Sequence, residues 1–318
     1  MSFIAVNPAT GQPVSTYDLL DDAELETALA TADEAQRLWR VRSVAERAEY
    51  LRALGVVIRE RKAALAARMT TEMGKPITQA IGEAEKCAWV CDYYAENAAE
   101  HLASVPVETD ATTSYWAYRP LGVIFGIMPW NFPFWQVIRF AVPTVTAGNA
   151  ALLKHSQNVP GCAQALTHRF RHAGYPEGLL AHLFFDHDQA GELIEDPRVR
   201  AVSLTGSVRA GKAVAKRAGA VLKSCVLELG GSDPSLVLAD ADLDLAAAAC
   251  ALGRFNNTGQ SCIAAKRFIV VDDVRGAFQE KLLAEMDRWQ PGDPTHPDTK
   301  LGPMAREDLR DELHDQVQ

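Results

Sequence analysis

VRAVSLTGSVRAGKA, running from Val199 to Ala213, is an apolar stretch that stops at a glycine and restarts at helical spacing. Val199–Thr205 has the β-branched, bulky content of a buried strand, and Ser207–Ala218 reads as the helix that follows it. The same unit repeats in both directions. Toward the N-terminus the pattern predicts strands at Leu121–Ile127, Ala151–Lys154 and Leu180–Phe185, with helices at Pro133–Ala147, Pro160–Ala173 and Asp188–Asp196. Toward the C-terminus it predicts a strand at Cys225–Leu229, strands at Ser235–Leu238 and Phe268–Val271, and helices at Leu243–Phe255 and Val274–Trp289. Alternation of this kind, with strands this apolar, implies an α/β fold: a parallel sheet with helices on both faces. Ligands of such sheets bind outside the carboxyl ends of the strands. That rule gathers Asn131, Lys154, Gly206, Ser207 and Glu228 at one mouth.

The first hundred residues read as helix, with apolar positions at Leu25, Leu29, Ala32 and Leu38, at Leu51, Leu54, Val57, Ile58 and Leu65, and at Ile77, Ile81, Ala84, Cys87, Cys91 and Tyr94. Cys87 and Cys91 fall on the apolar stripe and read as core residues. Thr109–Arg119, which holds Tyr115, Trp116 and Tyr118, is polar, aromatic and β-branched and reads as an exposed strand or hairpin.

The 318 residues are 48% hydrophobic and 23% charged, with a net charge of −9. Disorder is excluded by that composition, and the acidic balance argues against a nucleic-acid binder held by bulk charge. The 6 cysteines are scattered and form no disulfide framework. No metal site is expected. The most apolar run, Leu121–Met128, falls far short of the about 20 residues of a membrane span. Residues 1–8 lack the basic and apolar regions of a secretory signal. A cytoplasmic protein without membrane or nucleic-acid partners is the expectation.

Five short segments carry chemistry, each with a plainer alternative. The turn at Gly206 and Ser207 opens a helix whose N–H groups and dipole suit a phosphate, or it is simply a strand-to-helix turn. It nearly spells a P-loop, but Ala213 lacks the hydroxyl that would ligate Mg²⁺, and the GxGxxG fingerprint is absent. A lone cysteine is more often a buried hydrophobe than a nucleophile, but Cys262 is flanked by small and polar residues rather than an apolar stripe, which weakens the buried reading and leaves both open. Glu228 lies in an apolar strand, where burial would raise its pKa and suit a general base, or where it would cap a neighbouring helix. Asn131, between Pro129 and Pro133, suits either an oxyanion donor or a helix N-cap. Lys154 ends a strand and either bonds ribose hydroxyls or snorkels to solvent.

Taken in order, PWNFP (129–133), LLK (152–154), LTGS (204–207), LELGG (227–231) and NTGQSC (257–262) resemble the NAD(P)-dependent aldehyde dehydrogenase superfamily, and the match runs from Asn7 to Pro303. Within it, EMGKP (72–76), MPWNFPFWQ (128–136), LKHS (153–156) and LELGGSDP (227–234) are similar to bacterial succinate-semialdehyde dehydrogenases. The resemblance implies that Cys262 attacks the aldehyde carbon, that the Asn131 side chain and the Cys262 N–H hold the oxyanion, and that Glu228 activates the water that hydrolyses the thioester. It implies NAD or NADP, with the pyrophosphate at Gly206 and Ser207, the adenosine ribose at Lys154 near His155, Ser156 and Gln157, and further contacts from Trp130 and Leu229. Neutral Gln157 permits the 2′-phosphate of NADP. Arg139 stands where related enzymes pair an arginine with the distal carboxylate of the substrate. Asn256 replaces a second arginine that some members carry, and Ala264 replaces a second cysteine. Trp135 lines the substrate entrance or packs in the core.

By the same resemblance, residues 1–104 and 120–230 form a Rossmann-like dinucleotide-binding domain, and 105–119 a protruding oligomerisation strand. Residues 231–318 then form the N-terminal part of an α/β catalytic domain. Family members extend further, to a Glu-x-Phe-Gly-Pro motif, so a C-terminally truncated chain is expected, with a homodimer or homotetramer at full length. The alternatives are a non-catalytic dinucleotide-binding fragment, a broad-range aldehyde dehydrogenase and, from the glycine turn alone, a P-loop ATPase.

Overall fold

A computed structural model describes residues 2–318. The chain opens with a hairpin, so its first hundred residues are not helical throughout: β1 (Ser2–Val6) pairs antiparallel with β2 (Pro13–Asp18). The hairpin owes its place to aromatic packing, with Phe3 and Tyr17 resting on Phe184 at ring-centroid distances of 6.4 and 4.9 Å. Helices α1 (Asp22–Trp39), α2 (Val44–Glu60), α3 (Lys62–Met73) and α4 (Ile77–His101) follow. Asp21 and Ser43 start α1 and α2 with reciprocal capping boxes to Glu24 and Glu46. Gly74, at φ +74°, ends α3, because only the left-handed region turns the chain back toward Lys75 there. Strands β3 (Val105–Pro106) and β4 (Tyr115–Trp116) form a short antiparallel ribbon that leaves Tyr115, Trp116 and Tyr118 exposed.

The main sheet is built from β5 (Val123–Met128), β6 (Ala150–His155), β7 (Leu180–His182), β8 (Val199–Thr205) and β9 (Ser224–Glu228). All are parallel, in the order β7-β6-β5-β8-β9. Crossovers run through α5 (Trp135–Thr146), α6 (Pro160–His172), α7 (His187–Glu195) and α8 (Val208–Ala220). Strand β6 is buried along its whole length, as a central parallel strand must be. Gly126 in β5 lets α5 sit close: a Cβ there would fall 2.3 Å from the Phe140 ring. At the sheet edge β9 alternates between exposed and half-buried residues, with Val226 exposed, and is not the buried strand that its composition predicts.

A separate parallel pair, β10 (Pro234–Val237) and β11 (Arg267–Val270), packs with α9 (Leu243–Phe255) and α10 (Asp272–Met286) around Val237, Ala247, Cys250 and Phe278. Helix α11 (Glu307–Val317) buries none of its side chains. Among the described residues no helix is long and apolar enough to cross a membrane, and no group of three or more His, Cys, Asp or Glu is placed to hold a metal ion.

Candidate active site

Strands β5, β8 and β9 end side by side, and the turn that carries Cys262 faces them. Between them lies a cavity of about 450 Å³ lined by Trp130, Asn131, Gly206, Ser207, Glu228, Leu229 and Cys262. A thiol, a side-chain amide, a carboxylate and a helix N-terminus therefore share one space, although Asn131 and Cys262 lie 131 positions apart in sequence.

Asn131 is not a helix cap. Its Nδ2 donates to the Gln260 carbonyl at 3.0 Å, while its own carbonyl accepts from Asn257 Nδ2 at 2.7 Å. Because Gln260 offers an acceptor, the amide must present nitrogen there, which fixes its rotamer, and the second Nδ2 proton remains for the cavity. Its Oδ1 is buried without a hydrogen-bond partner among the described residues.

The turn before Cys262 is held by unusual backbone. Asn257, Thr258 and Gly259 have φ of 57°, 55° and 73°, three left-handed residues in succession. For β-branched Thr258 this conformation costs on the order of 1–2 kcal/mol. Its hydroxyl accepts the Gly302 N–H at 3.0 Å, and the buried Asn257 receives support from Gln79, whose Oε1 accepts the Asn257 N–H at 2.8 Å. Beyond the turn, Lys266 Nζ donates to the carbonyls of Cys262 (2.7 Å) and Gly231 (2.6 Å), tying the backbone at Cys262 to the segment after Glu228.

Glu228 departs from expectation. Its side chain is 56% exposed and lies 4.0 Å from Arg139, so it is not the buried carboxylate that its apolar strand predicts. Arg139 is oriented by Gln136 Oε1 (2.9 Å) and Thr205 Oγ1 (3.1 Å), with its guanidinium toward the carboxylate.

At the start of α8, Ser207 caps the helix by accepting the Ala210 N–H at 3.2 Å, and Gly206 and Ser207 line the cavity. Gly211 brings α8 against Leu229, where a Cβ would meet the leucine at 2.7 Å. Lys154 is buried, not snorkelling: its ammonium donates to the Phe185 carbonyl at 2.8 Å, and desolvation lowers its pKa to about 8. The His155 side chain is unavailable to a ligand. It is buried with Nδ1 3.0 Å from the Met128 carbonyl and Nε2 2.8 Å from that of Pro133, bracing the loop that holds Asn131. Ser156 bonds Asn158 at 2.7 Å, and Gln157 lines a neighbouring cavity of about 930 Å³ against residues 303–308. Trp135 borders a third cavity of about 300 Å³ with Phe132 and Asn256, its ring 3.9 Å from the Lys86 ammonium. Helix N-terminus, glycine turn and apolar walls at Trp130 and Leu229 fit a dinucleotide.

Sequence reasoning missed Gln79, Asn257 and Lys266, and also Glu83, which accepts the N–H groups of Phe134 and Trp135 just after Asn131. One signal was available for Glu83: it lies on the stripe of α4 that also buries Ala80, Ala84 and Cys87.

The family model for the aldehyde dehydrogenase family matches residues 2–318. A succinate semialdehyde dehydrogenase [NAD(P)+] of Escherichia coli is 49% identical over 99% of this chain and 68% of its own length. A probable succinate-semialdehyde dehydrogenase [NADP(+)] of Synechocystis is 46% identical over 100% of this chain and 70% of its own. Among solved structures, the succinic semialdehyde dehydrogenase of Streptococcus pyogenes in complex with NADP+ superposes with a TM-score of 0.96 at 36% identity, covering 99% of this chain and 70% of that one. With the fold, the motif order and a family match across every described residue in agreement, the chain belongs to the aldehyde dehydrogenase family.

Proposed function

We propose that the chain oxidises succinate semialdehyde to the carboxylic acid with NAD or NADP, with Cys262, Asn131 and Glu228 as the catalytic residues. The observation that carries this reading is the shared cavity, in which these three side chains meet the N-terminus of α8. The thiolate of Cys262 attacks the aldehyde carbon, forming a C–S bond and moving the carbonyl electron pair onto oxygen. The free Nδ2–H of Asn131 and the backbone N–H of Cys262 stabilise that oxyanion. When bound, the nicotinamide supplies the hydride acceptor; as the C–H bond of the adduct breaks and its electron pair leaves as hydride, the oxyanion re-forms the C=O and leaves a thioester on Cys262. Glu228 then takes a proton from water as its oxygen attacks the thioester; the C–S bond breaks, and Cys262 leaves as thiolate. Exposure of Glu228 suits this role, because a base that serves an incoming water needs access to it.

The N–H groups of α8 after Gly206 and Ser207 hold the pyrophosphate, Lys154 reaches the adenosine ribose with Ser156 and Gln157 near it, and Trp130 and Leu229 supply apolar walls. Arg139 pairs with the distal carboxylate of the substrate, and Trp135 lines its approach. The names of the bacterial relatives support the semialdehyde and both dinucleotides. In this reading residues 1–104 and 120–230 form the dinucleotide-binding domain and 231–318 belong to the catalytic domain. The exposed aromatic ribbon at 105–119 joins copies into a cytoplasmic homodimer or homotetramer.

Aldehyde-dependent growth of the reduced dinucleotide's absorbance tests the reaction, screened over succinate semialdehyde, glutarate semialdehyde and neutral aldehydes with NAD and NADP. Cys262→Ala is expected to abolish turnover and leave dinucleotide binding intact. Turnover that survives this change refutes the mechanism, and a strong preference for neutral aldehydes removes the role given to Arg139.

A further inference from the structure

Beneath the loop that carries Asn131 lies a buried ion pair that touches no reacting atom. Lys75 is 1% exposed and pairs with Glu83, whose side chain is 3% exposed. The second carboxylate oxygen of Glu83 accepts the backbone N–H groups of Phe134 and Trp135, each at 2.9 Å. These amides open α5, whose N-cap position, Phe134, offers no side-chain acceptor, so Glu83 replaces the missing cap from another helix. Lys75 in turn sits 4.0 Å from the Phe132 ring centroid, and His155 lies against the carbonyls of Met128 and Pro133. Every residue from Phe132 to Trp135 is therefore tied to α4, to the segment before it or to β6, immediately after Asn131.

Stability alone does not explain such an arrangement. A buried ion pair gains little over well-packed apolar residues of the same volume, because desolvation offsets the attraction. What an apolar pair lacks is an acceptor for two converging N–H groups. We propose that Glu83, held in place by Lys75, is a positioning residue for the oxidation: it fixes the start of α5 and thereby aims the Asn131 amide at the oxyanion. This rests on the oxyanion role given to Asn131 above.

Four variants of the enzyme test it, each measured for kcat, KM, thermal unfolding and dinucleotide-free acylation of Cys262 by p-nitrophenyl acetate, which forms an oxyanion without hydride transfer. Glu83→Asp keeps the charge pair but withdraws the acceptor by about one bond length. It is expected to lower kcat and acylation on the order of 10- to 100-fold with KM within about twofold, since a 1 Å misplacement can cost about 10². Lys75→Met with Glu83→Gln keeps an acceptor oxygen for α5 and recovers most of the rate. Lys75→Met with Glu83→Leu packs an apolar pair without an acceptor and stays as slow as Glu83→Asp. Asn131→Ala, expected to lose about 10²–10³, is the reference. If it loses that rate while Glu83→Asp, or the folded leucine variant, keeps kcat within twofold of wild type, the positioning role is overturned alone. If Asn131→Ala keeps its rate, the oxyanion reading falls and this proposal falls with it. Should both double variants fail to fold, Glu83→Asp decides.

Discussion

Replacing Lys154 by methionine removes a buried charge whose cost depends on pH. The residue is 8% exposed, its ammonium has the Phe185 carbonyl at 2.8 Å, and the rings of Phe3 and Phe185 lie 5.5 and 5.2 Å away. Burial lowers its pKa from 10.5 to about 8, opposed by Asp186, which pulls it upward. Below pH 8 the lysine is charged in both folded and unfolded chains, and the folded one bears the full desolvation, on the order of 3 kcal/mol. Between pH 8 and 10.5 the folded lysine is neutral while the unfolded one still binds a proton, so this contribution makes stability rise with pH. Above 10.5 nothing remains of it. Methionine preserves the stem's packing, removes the charge and leaves the Phe185 carbonyl without its donor, a loss of about 1 kcal/mol. Urea unfolding at pH 7 should therefore find Lys154→Met more stable than wild type by about 2 kcal/mol, with that advantage gone by pH 10. An advantage of equal size at both pH values, or a variant less stable at pH 7, refutes the reasoning. Wild type alone should also take up a proton when it binds dinucleotide above pH 8, because ribose hydroxyls add acceptors to the ammonium; calorimetry in buffers of different ionisation enthalpy reads this directly.

Substitutions at two other positions probe the scaffold of the site. Thr258→Gly relieves left-handed strain as it loses the bond to Gly302, so its unfolding free energy should change by less than about 1 kcal/mol, whereas Thr258→Val keeps the strain, loses the bond and should cost about 1–2 kcal/mol; a glycine variant less stable than the valine one contradicts the strain. Gly126→Ala drives a methyl into the Phe140 ring and should lower stability by about 1–3 kcal/mol in chemical denaturation, and a neutral result would show that α5 shifts freely over β5.

What could be read from the chain follows the range of the interactions involved. Strands β5, β6 and β8 announce themselves because a parallel strand covered on both faces needs an unbroken apolar run, and Val199–Thr205 has one. Strand β9 misleads for the same reason: Cys225, Val226 and Leu227 are apolar, yet edge position, set by what packs beside the strand, leaves Val226 exposed and Glu228 open. The β1–β2 hairpin is invisible to periodicity, since Phe3 finds its partner in Phe184, more than 180 residues later. Asn131 and Cys262 stand out because proline and glycine shape their turns locally.

Two of the groups that support those turns do not stand out, because they act at long range: Gln79 on Asn257 across 178 positions, and Glu83 on Trp135 across 52. Glu83 nevertheless leaves a trace that physics can read. It occupies a stripe position of α4 that buries every apolar neighbour at helical spacing. A carboxylate taken there from water is tolerable only with a cation and hydrogen-bond donors waiting for it. Lys75, equally unable to remain buried alone, stands two residues before α4 in a segment with no other reason to be charged. Two opposite charges forced inward within eight residues therefore imply a third element whose backbone needs them, and the structure identifies it as the start of α5, directly after Asn131. Buried charge, rather than motif, is the mark by which the support of this site could be found.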